Sequence, residues 1–150
     1  MPAKTFHFQI ATPERVVFSA EAVESVTLPT QMGEITVLAE HIPLVANLVP
    51  GEIKVVVGGA DVTMAVSGGF INVQPGKVVV LADTAEHAEE INIERAEQAR
   101  ERAGELMRQQ RTAETTDYTA LAARLEKELA RVKVARKHRE RKGVSIKVEE

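Results

Sequence analysis

Apolar residues alternate with polar ones, or come in short β-branched runs, from residue 5 to residue 82; from Ile93 onward they recur every three or four positions. A period of two marks half-buried strands and a period near 3.6 an amphipathic helix, so a β region passes into helices within residues 81–96, LADTAEHAEEINIERA. Strands are predicted over residues 5–10, 16–18, 23–28, 35–38, 44–48, 53–57, 62–66, 70–73 and 77–82. Punctuation falls between them: Pro13, the turn from Pro29 to Gly33, His41 with Pro43, Pro50–Gly51, Gly58–Gly59, Gly68–Gly69 and Pro75–Gly76. Short strands at this spacing with no helix among them make a β-sandwich or flattened barrel, not an alternating α/β sheet.

The second part predicts two helices. Ile93, Ala96, Ala103 and Leu106 share one face, with Ala99 and Met107 beside it, and Glu and Arg crowd the other. A polar connection is predicted over residues 111–117, with Asp117 as N-cap of the second helix. Its stripe is Tyr118, Leu121, Ala122, Leu125, Leu129 and Val132, and Gly143 is its predicted stop. The expected fold class is thus α+β: an N-terminal β-sandwich over 1–87, a C-terminal two-helix antiparallel hairpin over 88–142 and a short tail over 143–150. Ala and Gly dominate the first helix's apolar face, so the hairpin is expected to grip weakly.

Charge sharpens this division. Net charge is −4 over residues 1–85, −4 over 86–117, +6 over 118–142 and −1 over 143–150. The cations gather on the second helix, and an acidic surface is the natural partner. The 150 residues contain no Cys and no Trp and are 3% aromatic, which removes thiol chemistry and makes base stacking a poor prospect. No apolar run approaches the roughly 18 residues that cross a bilayer, and MPAKTFHFQI has the layout of neither a secretion signal nor a transit peptide.

Candidate chemistry is sparse. His7, His41, His87 and His138 show no metal-ligand spacing, so no metal is expected. No Ser/His or paired-carboxylate setting supports catalysis, and Gly68–Gly69 do not open a helix as a phosphate loop does. The residues by themselves also satisfy a non-catalytic adaptor that binds some other acidic protein.

Three stretches in series narrow the choice: residues 33–51, GEITVLAEHIPLVANLVPG; residues 66–76, VSGGFINVQPG, running into KVVVLADTAE; and residues 91–96, INIERA. Together they resemble the epsilon subunits of F-type ATP synthases, in the same order and spacing, over residues 4–138. The resemblance implies a non-catalytic central-stalk subunit of a rotary enzyme driven by the proton-motive force. Its sandwich would sit between gamma and the c ring, and its helices would either fold down or extend toward the alpha/beta catalytic head and block ATP hydrolysis. By position, Glu34, His41, Ile42 and Pro43 match the c-ring and gamma interface. Glu86, Ile91, Asn92, Arg95, Ala96, Arg102 and Arg131 match the nucleotide site of ATP-sensing members. There Asn92 replaces Asp, Lys127 replaces a helix-two Arg, and Thr36 replaces a Gly of the first stretch. No cofactor is required, and ATP enters as a regulatory ligand only. Arg131, Lys133, Arg136, Lys137 and Arg139 are the expected inhibitory contact with the head. Nucleic-acid binding through the basic helix is disfavoured by the acidic remainder of the chain and its few aromatics. The resemblance places the chain peripherally at the cytoplasmic face of a bacterial inner membrane, held through the complex, with the stromal side of a plastid thylakoid as the alternative.

Overall fold

The computed structural model describes residues 4–109 and 115–148, with side chains over 4–109 and 118–143. The chain divides into two compact units, Met1–His87 and Ala88–Glu150.

The first unit contains nine strands among the described residues: β1 (Phe6–Ala11), β2 (Val16–Thr30), β3 (Gly33–Leu38), β4 (Leu44–Leu48), β5 (Gly51–Val57), β6 (Ala60–Val66), β7 (Gly69–Gln74), β8 (Lys77–Ala82) and β9 (Ala85–His87). Strand β1 pairs antiparallel with β2 and parallel with β8; β8, β7, β4 and β2 follow in order, so the path returns to β2 and closes a flattened barrel. Strands β5, β6 and β9 extend from β2 on one side, and β3 pairs with its other edge. Inward residues alternate as the pattern requires, and Phe8, Ile10, Leu28, Ile53, Met64 and Ile71 are fully buried. Burying each such side chain contributes roughly 1.5–3 kcal/mol.

Two predicted strands, 16–18 and 23–28, prove to be one. Strand β2 continues through Ala20–Ala22 because it absorbs irregularities: Phe6 and Phe8 of β1 face Val23 and Ala20, leaving one additional residue on β2. A second shift lies between Val23 and Ser25 against β5, where the intervening Glu24 accepts a hydrogen bond from the Gly59 amide at 3.0 Å. Such bulges bend a strand and let it serve two sheets. Gly58 and Gly59, at φ of 56° and 75°, make the tight turn into β6. Gly69 is constrained differently. A Cβ there would lie 2.0 Å from the Leu81 carbonyl oxygen, so β7 and β8 approach too closely for any side chain.

The second unit opens with a 3-10 helix (Ala88–Glu90), followed by α1 (Ile93–Gln109) and α2 (Thr115–Val148). The helices run antiparallel: Glu97 of α1 meets Arg136 of α2, and Glu89 before α1 meets Lys142 further along α2. Helix α2 corrects the sequence reading at both ends. It begins at Thr115, so Asp117 lies inside its first turn, and part of the expected connection, residues 111–114, falls outside the described residues. It also runs past Gly143, which is absent from the glycines at positive φ; with no left-handed cap the helix continues to Val148, through residues read as a short tail. The stripe is only partly covered. Val132 is buried, Leu121 and Leu125 are half-buried, and Tyr118 and Leu129 are 44% and 43% exposed.

Candidate functional site

The four sandwich residues singled out from the sequence occupy two places, not one. Glu34 is exposed beside the β2–β3 turn, where Thr30 Oγ1 donates to the Gly33 carbonyl at 2.6 Å and accepts from the Met32 amide. That turn presents Met32 to solvent at 96% exposure. His41, Ile42 and Pro43 follow the far end of β3, about 13 Å of strand rise from Glu34. Here the His41 amide donates to the Leu38 carbonyl, and His41 Nδ1 lies 2.7 Å from the Ile42 carbonyl oxygen. Glu40 takes φ of 65° and pairs with Lys4 at 2.8 Å, and Ile42 is 75% exposed.

The sequence reading missed an apolar face that starts beside this loop. Val45, Phe70 and Leu81 are more than half exposed on β4, β7 and β8. Phe70 stands opposite Leu81, and Val45 stands opposite Asn72. The available signal was the outward phase of these strands: alternation places Val45, Phe70 and Leu81 away from the core, where polar residues are the rule.

In the helical unit the nucleotide-type residues separate. Ile91 and Ala96 are buried and serve packing. Asn92 caps α1: its Oδ1 accepts from the Arg95 amide at 3.0 Å and its carbonyl from the Ala96 amide. Arg95 and Arg102 are exposed, about two turns apart on α1. Glu86 lies on β9 in the other unit, opposite Ala65. Arg131 forms a 2.8 Å ion pair with the buried Glu128 of its own helix. A cleft of about 720 Å³ lies between the start of α1 and the end of α2. Of the seven residues only Ile91 and Asn92 line it; its charged walls include Glu89, Glu97, Arg136 and Lys142.

The cations of α2 are likewise unequal. Lys133, Arg136, Lys137 and Arg139 are all exposed. Arg136 is paired with Glu97, and Glu89 Oε1 sits 3.1 Å from Lys142 Nζ and 3.7 Å from His138 Nε2. Among the described residues no three His, Asp or Glu side chains are grouped to hold a metal, and no helix is long and apolar enough to cross a membrane.

Apolar and basic surfaces on a small β-sandwich joined to a helical hairpin define a protein that works by docking on others. Residues 5–88 match the family model of the ATP synthase delta/epsilon chain beta-sandwich domain, and residues 89–136 that of its long alpha-helix domain. The ATP synthase epsilon chain of Desulforamulus reducens is 50% identical over 101 residues, 67% of this chain and 76% of that one. The epsilon chain of Chloroflexus aggregans is 42% identical over 133 residues, 89% and 94% of the two chains. A chain in the Euglena gracilis mitochondrial ATP synthase superposes with a TM-score of 0.73 at 27% identity, over 87% of this chain and 80% of that one. A Tetrahymena thermophila ATP synthase chain, at 12% identity and a TM-score of 0.59, shares the fold. The chain belongs to the epsilon-subunit family of F-type ATP synthases, whose members are non-catalytic.

Proposed function

We propose that this chain couples gamma to the c ring in the central stalk during proton-driven ATP synthesis, and that its helices brake ATP hydrolysis when they extend toward the catalytic head. The observation that carries the reading is the continuity of the family match across both units, residues 5–88 and 89–136, so the docking platform and the helical element are both present. On the sandwich, the Glu34 turn and the loop of His41, Ile42 and Pro43 are the rotor contacts. Their separation along β3 suits two partners, with the turn toward the c ring and the loop, continued by Val45, Phe70 and Leu81, toward gamma. On α2, exposed Lys133, Arg136, Lys137 and Arg139, together with Arg131, form the inhibitory contact with an acidic head surface. Coulomb attraction of this kind weakens with salt. The chain sits peripherally at the cytoplasmic face of the bacterial inner membrane, held there through the complex.

Regulation by ATP is the finer reading. Exposed Arg95 and Arg102 suit phosphate oxygens, whereas Arg131 is engaged by Glu128 and Asn92 by its cap. Calorimetric titration of the full chain with ATP tests it: heat of binding that Arg95→Ala abolishes supports the site, and no heat at millimolar ATP removes it.

The brake itself is tested on a catalytic head–gamma core lacking this subunit, to which the full chain or residues 1–87 are added. Both should bind, and only the full chain should suppress hydrolysis. Binding without inhibition by either leaves the coupling role and removes the brake. Failure of both to bind favours a different acidic partner and the adaptor reading.

A further inference from the structure

Arg136, one of the residues expected to engage the catalytic head, and Lys142 beyond that set are already occupied in the folded hairpin. Arg136 of α2 is held by Glu97 of α1, and Lys142 by Glu89 of the preceding 3-10 helix at 3.1 Å. His138 lies between them in sequence, with its Nε2 buried and 3.7 Å from the same Glu89 carboxylate. These contacts cross from one element to another, so separating the helices breaks them. The Arg131–Glu128 pair differs: it lies within α2 and travels with the helix whichever state it adopts.

We propose that Glu89 and Glu97 form an internal acidic latch, which occupies the basic end of α2 and thereby competes with the acidic surface of the catalytic head. The mechanism rests on the brake reading given above for its effect on hydrolysis, but not for its effect on the hairpin. An ion pair present in only one of two states shifts their equilibrium by its own strength. Glu97 and Arg136 are 34% and 57% exposed, and Glu89 and Lys142 66% and 60%. Pairs so accessible to solvent each shift an equilibrium by no more than about fivefold. That is little against a fully packed core and enough against a hairpin whose buried contacts are mostly alanine. Weakness is what the device needs, since a strong latch would never release.

The chain has no native Cys, so labels placed at Gln98→Cys and Glu140→Cys, one per helix and both exposed, report helix separation specifically. Spin-label distances are measured in the full chain bound to the head–gamma core, alongside ATP hydrolysis. The double variant Glu89→Gln/Glu97→Gln should raise the population of long distances several-fold and lower residual hydrolysis in step. Glu101→Gln/Glu105→Gln, which removes the same two charges from exposed sites on α1, should change neither. The reciprocal swap Glu97→Arg/Arg136→Glu restores the pair and should return the short distances. Unchanged distances in the double variant overturn the latch. So does an equal response to Glu101→Gln/Glu105→Gln, because net charge then accounts for the opening. A swap that fails to restore short distances also overturns it. More opening with unchanged hydrolysis keeps the latch and removes the brake.

Discussion

The sandwich and the helical hairpin reach their folds with different materials. The first unit buries Phe8, Ile10, Leu28, Ile53, Met64 and Ile71 completely; the two helices bury Ala96, Ala103, Ala130, Val132, Val134 and Ala135. A buried alanine methyl contributes about 0.8 kcal/mol, a fraction of what a large aliphatic side chain does. Strands in the sandwich also tie distant parts of the chain into one closed path, as where β1 pairs with β8, whereas the helices form a single hairpin. One unit is built to hold its shape; the other has little large apolar surface to lose on opening, as the proposed brake requires. That is a reasonable division for a rotor coupling that carries a releasable brake.

The largest test of the comparison is Gly69→Ala. The new Cβ would meet the Leu81 carbonyl oxygen at 2.0 Å and the Ala82 Cα at 2.8 Å, at φ of +136°. Backbone lies on the far side of the clash, so nothing flexible can yield. We expect a loss of at least about 3 kcal/mol. Thermal unfolding followed by circular dichroism should show the β transition lowered by more than about 12 °C. A shift of only a few degrees would mean that the β7–β8 edge adapts, and that the sandwich is less rigid than its core composition indicates.

A smaller effect addresses the other side. Val132 is 3% exposed, and Val132→Ala removes two methyl groups, worth about 2 kcal/mol with the cavity included. Native-state amide exchange should already show α1 and α2 opening at lower free energy than β1, β7 and β8. In the variant the α2 amides should exchange faster still, with the strands unchanged. Equal protection of α2 and the sandwich strands in the unmodified chain would abolish the contrast between the two units.

Much of this division was legible in the sequence, and what escaped has identifiable causes. Alternation located most of the strands, because a half-buried strand must place every second residue inside. It failed at 19–22, where SAEA carries no large apolar residue and the strand persists through a bulge. It missed β9, whose AEH has no pattern and is a strand only because the edge of β6 receives it. Gly143 read as a stop because glycine is common at helix ends, yet glycine allows positive φ without requiring it. The ion pairs of Glu89 and Glu97 join residues far apart in the chain, and nothing local announces them. Asn92 is the reverse case: Asn directly before a helical run is a capping signal, which its position in a nucleotide-type motif overshadowed.

Asn92 also gives the finest test, because capping and ligand binding make different demands on it. A cap needs a side-chain oxygen, which Asn and Asp both supply; a site recognised through a carboxylate needs the charge. Asn92→Ala deletes the acceptor for the Arg95 amide and should cost about 1 kcal/mol, visible as faster exchange in the first turn of α1. Asn92→Asp keeps that acceptor and adds a negative charge at a helix N-terminus, so stability should hold or rise by about 0.5 kcal/mol. If Asn92→Asp leaves exchange nearly unchanged but creates or strengthens ATP binding in the calorimeter, the residue present here serves the helix, and the missing charge limits the ligand. If ATP affinity is indifferent to the substitution, nucleotide recognition does not pass through this position, and the start of α1 matters only for how firmly the hairpin is anchored.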